Sequence, residues 1–74
     1  MTDVPSAGDL LVYDVMWRGE THVSAWRVTA VDADGTVHVR NAGGMARCAE
    51  VRLDRKAGVG VGVLRRDMLP DAVI

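Results

Sequence analysis

The stretch from Trp26 to Asn41, W-R-V-T-A-V-D-A-D-G-T-V-H-V-R-N, constrains the fold more than any other part of the chain. Two β-branched runs flank Asp34-Gly35, a dipeptide that tolerates the positive φ angles of a tight hairpin turn. A two-residue type I′ turn there pairs Ala33 with Thr36, Val31 with His38 and Thr29 with Arg40. One face then carries Trp26, Val28, Ala30, Val37 and Val39, and the other carries Arg27, Thr29, Val31, His38 and Arg40. An apolar face backed by a polar one is the pattern of an antiparallel sheet buried on one side. The chain is therefore expected to be all-β.

The flanking segments extend that sheet. Leu10 to Trp17 alternates, with Leu11, Tyr13, Val15 and Trp17 on one side, and predicts a first strand. Arg18-Gly19-Glu20 reads as a turn, and the second strand begins near His22. Ala42-Gly43-Gly44 breaks the third strand. In residues 45–54, Met45, Cys48, Ala49 and Leu53 fall at helical spacing, whereas Glu50 to Asp54 alternates as a strand does. A fourth strand is the preferred reading, because the Gly-Val run of residues 58–63 gives it a natural partner. Arg55-Lys56-Ala57-Gly58 suits a hairpin loop, and residues 58–63 alternate strictly between Gly and Val. Val59, Val61 and Val63 are expected to point inward. The bare glycine face then invites close approach by a ring, with Trp17 the candidate, or by a partner. Arg65 to Leu69 is expected to form one 3₁₀ turn, stopped by Pro70. Residues 1–8 read as an arm, 9–70 as the domain, and 71–74 as a tail or edge strand.

Seventy-four residues make one domain with a small core, burying about 60% of the unfolded surface. The apolar fraction of 49% comes mainly from Val, Ala, Leu and Met, with no Phe, one Tyr and two Trp. A formal charge of −1 lacks the basic excess of a dedicated nucleic-acid binder. The cations are nevertheless unevenly placed: two precede residue 38 and seven follow it. One Cys excludes an internal disulfide framework and suits a reducing compartment. The polar start M-T-D-V-P-S-A-G-D has no targeting features, and no apolar run approaches the ~20 residues of a membrane helix. These features predict a cytoplasmic protein that does not engage a membrane.

Five short strands with a late 3₁₀ turn imply a small, bent barrel. The opener Ala7-Gly8-Asp9-Leu10-Leu11-Val12, the central Trp26 to Asp32, the turn Asp34-Gly35-Thr36-Val37 and the closing Leu64 to Pro70 resemble the SH3-like small barrels, in particular their Tudor-like and KOW-like branches. The resemblance covers roughly residues 7–70. It implies a five-stranded antiparallel barrel with a 3₁₀ turn before the last strand. It also implies binding of peptide or nucleic acid through loops at one end and one strand face. The aromatic cage of Tudor-like members and the Tyr/Trp groove of polyproline-binding SH3 domains are both missing, since Tyr13, Trp17 and Trp26 all occupy expected core positions.

No arrangement of residues points to catalysis. His22, His38 and Cys48 match no zinc spacing, and the hairpin puts the two histidines on opposite faces. Cys48 in M-A-R-C-A-E lacks an adjacent base and reads as a small buried hydrophobe. The carboxylate pairs Asp32/Asp34 and Asp67/Asp71 lie in turns, where Asp bonds its own backbone. The Gly-Val run has no Lys-Ser/Thr end and opens no helix, so it is not a phosphate loop. The reading is a non-catalytic interaction module with no metal or cofactor. It would dock on a larger protein or nucleoprotein assembly through Arg27, Thr29, His38 and Arg40, with Arg47 and Arg52 nearby. Arginine there supplies bidentate hydrogen bonds to carboxylate or phosphate. Two alternatives stand beside it. Stand-alone, Met-initiated single domains of this size resemble phage- or mobile-element-encoded inhibitors such as anti-CRISPR proteins. A KOW-type barrel would instead bind nucleic acid, although no aromatic residue is expected to be placed for base stacking. A monomer is expected, or a homodimer paired through the Gly-Val strand or residues 71–74.

Overall fold

The computed structural model of the chain describes residues 5–70 together with the backbone of Ala72–Val73. It is an all-β half-barrel with one 3₁₀ turn. The strands are β1 (Leu10–Trp17), β2 (Glu20–Val31), β3 (Thr36–Gly44), β4 (Arg52–Leu53), β5 (Val61–Arg65) and β6 (Ala72–Val73). The 3₁₀ turn spans Arg66–Met68, ahead of the last strand. A single antiparallel sheet takes the order β4-β5-β3-β2-β1-β6, so both outermost strands are only two residues long. Among the described residues no helix is long and apolar enough to cross a membrane.

The two central hairpins close differently from the expected pattern. The type I′ turn lies between β1 and β2, where Arg18 and Gly19 both take positive φ (+51° and +79°) and Trp17 faces Glu20. Between β2 and β3 only Gly35 has positive φ. Its amide donates to the Asp32 carbonyl at 3.0 Å, and the Asp32 amide donates to the Thr36 carbonyl at 2.8 Å. This is a three-residue loop ending in a left-handed glycine, the longer of the common hairpin solutions. The expected register is therefore displaced: Val31 faces Val37, Ala30 faces His38 and Arg27 faces Arg40.

Two bulges bend this hairpin. Thr29 is the extra residue of β2, between the pairs Val28–Val39 and Ala30–His38, and its hydroxyl donates to the His38 carbonyl at 3.2 Å. Ala42 is the extra residue of β3, between Asn41 and Gly43. The first bulge exchanges the expected places of two side chains: Val31 packs against the core, and Ala30 is exposed. Extra residues of this kind strengthen twist and let a sheet curl over its own core.

That core comprises Leu11, Tyr13, Trp26, Val28, Val37, Val39, Val51 and Leu64, with Val15, Val31, Cys48 and Leu69 packed at its margin. Residues 45–51 form neither helix nor strand. They fold against the inner side of the sheet and contribute buried Val51 and half-buried Cys48. A polar relay fixes them. The Trp26 indole Nε1 donates to Ser24 Oγ at 2.7 Å, and Ser24 Oγ donates to the Met45 carbonyl at 2.7 Å. Asn41 Nδ2 reaches the Ala25, Gly43 and Met45 carbonyls at 3.2–3.3 Å. Ser24 and Trp26 are both wholly buried, so each bond satisfies a group that water cannot reach.

The Gly-Val strand is turned the opposite way from the expectation. Gly60 and Gly62 are buried, Val61 and Val63 are half-buried on the outer side, and Val59 is fully exposed. Val51 and the backbone of Arg52, not Trp17, fill the space beside Gly62: a Cβ at residue 62 would lie 2.6 Å from the Arg52 oxygen and 2.8 Å from Val51 Cγ1. Glycine is needed because β4 and Val51 cross so close to β5.

Candidate functional site: the outer sheet face and the first hairpin tip

Strand alternation delivers most of the expected site residues to one surface. In antiparallel sheets, residues opposite one another share a face. One row across the outer face runs Arg27–Arg40–Val61, and the next runs Ala30–His38–Val63–Arg52. A third pairs Thr36 with Arg65. Arg27, Arg40, Arg52 and Arg65 are all exposed, and Thr29 is exposed beside them on the bulge. Arg65 is an addition to the residues that sequence reasoning singles out. Its signal is the alternation of β5, which the inverted assignment of the valines conceals.

The charges on this face are only partly answered. Arg27 and Arg40 are direct cross-strand neighbours, an arrangement that costs stability for like charges. Arg27 donates to the Gly8 carbonyl at 2.8 Å. Among the described residues, neither Arg27, Arg40 nor Arg52 lies within ion-pair distance of a carboxylate. His38 Nε2 is 2.8 Å from Asp32 Oδ2, and Arg65 Nε is 3.7 Å from Asp67 Oδ1. Val61, Val63 and Ala30 lie between the cations, so the surface is apolar and basic in alternation.

Arg47 does not join this face. It belongs to the segment that crosses the inner side, and its guanidinium lies 5.4 Å from the centroid of the Trp17 ring. The Arg18 guanidinium lies 5.7 Å from the same ring. Trp17 keeps the inward parity of Leu11 and Tyr13, yet it is 42% exposed because it stands at the end of the sheet, past the core. Met16 and Val23, 68% and 53% exposed, add apolar surface on the outer side of the same hairpin. Thr21 donates its hydroxyl to the Met16 sulfur at 3.1 Å.

The remaining polar groups serve the fold. The Thr36 backbone amide donates to Asp34 Oδ1 at 2.9 Å and holds that carboxyl below its ordinary range. Burial, followed by a hydrogen bond to Glu50, pushes the Cys48 thiol up to about 11. The thiol donates to Glu50 Oε2 at 2.8 Å. A thiol so held stays protonated at neutral pH, the reverse of what a nucleophile needs. Burial also raises the Tyr13 phenol, with further contributions from Cys48 and Glu50. The phenol donates to the Met68 carbonyl at 3.2 Å. His22 sits opposite Val15 on the inner parity and His38 on the outer face, and among the described residues no three potential ligands gather to hold a metal ion. A cleft of about 560 Å³ between the β2–β3 turn and the 3₁₀ turn is lined by Asp34, Gly35, Thr36, Arg65, Arg66 and Asp67, two cations against two anions.

Set against protein-family models, curated proteins and solved structures, the chain matches none.

Proposed function

We propose that this chain is a non-catalytic interaction module whose outer sheet face docks on an acidic surface of a protein. The observation that carries the reading is the Arg27–Arg40 pair: two cations held side by side with no carboxylate to answer them among the described residues. A partner's carboxylate set between them removes their mutual repulsion and gains bidentate, charge-assisted hydrogen bonds. The aliphatic residues interleaved with them favour a protein over a polyphosphate, because apolar area in the middle of a patch is buried only by a partner that is itself apolar there. A formal charge of −1 works in the same direction, since it gives no long-range pull toward nucleic acid. The 3₁₀ turn ahead of β6 supports the resemblance to SH3-like barrels. An inhibitor carried by a phage or mobile element is one biological setting for such a module.

The test is affinity capture from the host lysate, with and without nuclease, comparing the natural chain with an Arg27→Glu/Arg40→Glu variant of unchanged thermal stability. The expected result is a protein partner that survives nuclease and is lost from the variant. A partner retained equally by both chains removes this face from consideration. Recovery that depends on nucleic acid, and falls steeply with salt, replaces the reading with the KOW-type one.

A further inference from the structure

We propose that the exposed edge of β1 next to the Arg18-Gly19 turn is a docking edge for an extended segment of the partner that alternates acidic and apolar side chains. The inference rests on the reading that the partner is a protein, and it adds a second contact region at the β1 edge of the sheet.

Three independent observations meet there. The first is backbone. β6 pairs with β1 only at Leu11 and Val12, and among the described residues no strand runs beside Asp14 to Trp17 on that side. A strand edge left in this state is a template for an added strand, which contributes main-chain hydrogen bonds while its alternate side chains supply selectivity.

The second is side chains. Met16 and Trp17 point to opposite faces of this edge and are 68% and 42% exposed. Two guanidinium groups, those of Arg18 and Arg47, lie within 6 Å of the Trp17 ring centroid. Neither is within ion-pair distance of a carboxylate among the described residues; Glu20, across the ladder from Trp17, lies 3.9 Å from His22 instead. A guanidinium held by an aromatic ring keeps its N–H groups free for a carboxylate and loses less freedom on binding.

The third is strain. Arg18 holds φ +51° at an exposed turn position that Asn or Gly occupies at lower cost. Arginine supplies in return the guanidinium beside Trp17. Trp and Arg are also the residue types that dominate the energetics of protein interfaces. The adjoining apolar Met16 and Val23 select a peptide over a nucleic-acid strand, since they offer phosphates nothing.

The experiment titrates the full chain with a short end-blocked peptide alternating Glu and Val. Controls are a Lys-Val peptide and an oligothymidylate of matched charge. Tryptophan fluorescence reports the site, because Trp26 is wholly buried while Trp17 is not. Amide hydrogen exchange by NMR locates the contact. The expected result is saturable binding of the Glu-Val peptide alone, with new protection confined to the amides of Asp14 to Trp17. Arg47→Gln should weaken it about tenfold, as loss of one charge-assisted hydrogen bond does. Arg18→Asn should weaken it while raising the melting temperature, a pair of opposite effects that a purely structural role cannot produce. The titration is made in the Arg27→Glu/Arg40→Glu background, which removes the outer face as a competing site for an acidic peptide, so a failure of this edge is distinguishable from a failure of the outer-face reading. Absence of binding at millimolar peptide overturns the proposal. So does tighter binding of oligothymidylate, or concentration-dependent protection of the β1 amides without peptide, which would put a second copy of the chain on the edge.

Discussion

Ser24→Ala tests whether the polar relay, rather than the apolar core alone, fixes the inner segment. The hydroxyl is wholly buried and stands between two groups, accepting from the Trp26 indole and donating to the Met45 carbonyl at 2.7 Å each. Its removal loses about 1 kcal/mol for the bond to Met45, whose carbonyl retains Asn41 Nδ2 at 3.3 Å. The indole N–H fares worse, since Trp26 is 0% exposed and no water can replace the lost acceptor. An orphaned buried donor costs about 1–3 kcal/mol. The sum, about 2–4 kcal/mol, is a large part of what a domain this small can hold. It corresponds to a fall in melting temperature of roughly 10–30 °C. Urea titration monitored by circular dichroism measures it, with the slope expected unchanged and the midpoint lowered. The decisive control is the same substitution made on Trp26→Phe. With the indole N–H already gone, Ser24→Ala should cost only about 1 kcal/mol, leaving a coupling of about 1–3 kcal/mol between the two sites. Equal costs in both backgrounds, or a single-site cost below about 0.5 kcal/mol, would refute the relay as a source of stability.

Two further expectations concern packing and protonation. Gly62→Ala should destabilise by about 1–3 kcal/mol by forcing β4 and Val51 away from β5; hydrogen exchange should show the loss concentrated at Arg52 and Leu53, and a neutral result would mean that this crossing is not tight. Cys48 should react with iodoacetamide at pH 8 far more slowly than a free thiol, and Glu50→Gln should speed it. Because the folded value is raised from 9 to about 11, the associated stability is complete below pH 9 and is lost as pH rises toward 11, which a Cys48→Ala comparison of thermal midpoints across that range measures.

The fold is largely legible because period-2 patterning survives in β1, β2 and β3, and because Arg66–Met68 sits before Pro70 where a 3₁₀ turn is expected. Parity, rather than strand existence, is what escapes. Alternation separates two faces but does not say which one is inner. In β5 the apolar valines are the natural choice for the core. The space is instead filled by Val51, from a segment whose conformation the residue pattern leaves open between helix and strand. The bulge at Thr29 is a one-residue slip with no compositional mark, so Val31 and Ala30 exchange places. Trp17 shows a different gap: parity places it correctly with Leu11 and Tyr13, but parity carries no information about where the core ends. Assigning it to the core also removes the one aromatic ring available for recognition. Arg27, His38, Arg40 and Arg52 come out together because the turn and the bulge at Thr29 each shift the register by one residue, and a total shift of two changes the partners but restores the face, whereas Arg47 belongs to a loop that no periodicity can place.

The bulges at Thr29 and Ala42 also determine how this chain can change length. Anywhere else in the paired rows of the central hairpin, loss of one residue would turn the remaining rows of a strand inside out, sending valines to solvent and arginines to the core. At these two positions the ladder already skips a residue: Val28 and Ala30 face Val39 and His38, and Asn41 and Gly43 face Trp26 and Ala25. A descendant lacking either residue would keep every cross-strand pairing and every inward side chain, and would lose only curvature. Within its paired rows the hairpin should therefore tolerate single-residue deletion at these two places alone, and each deletion would open the half-barrel without scrambling it.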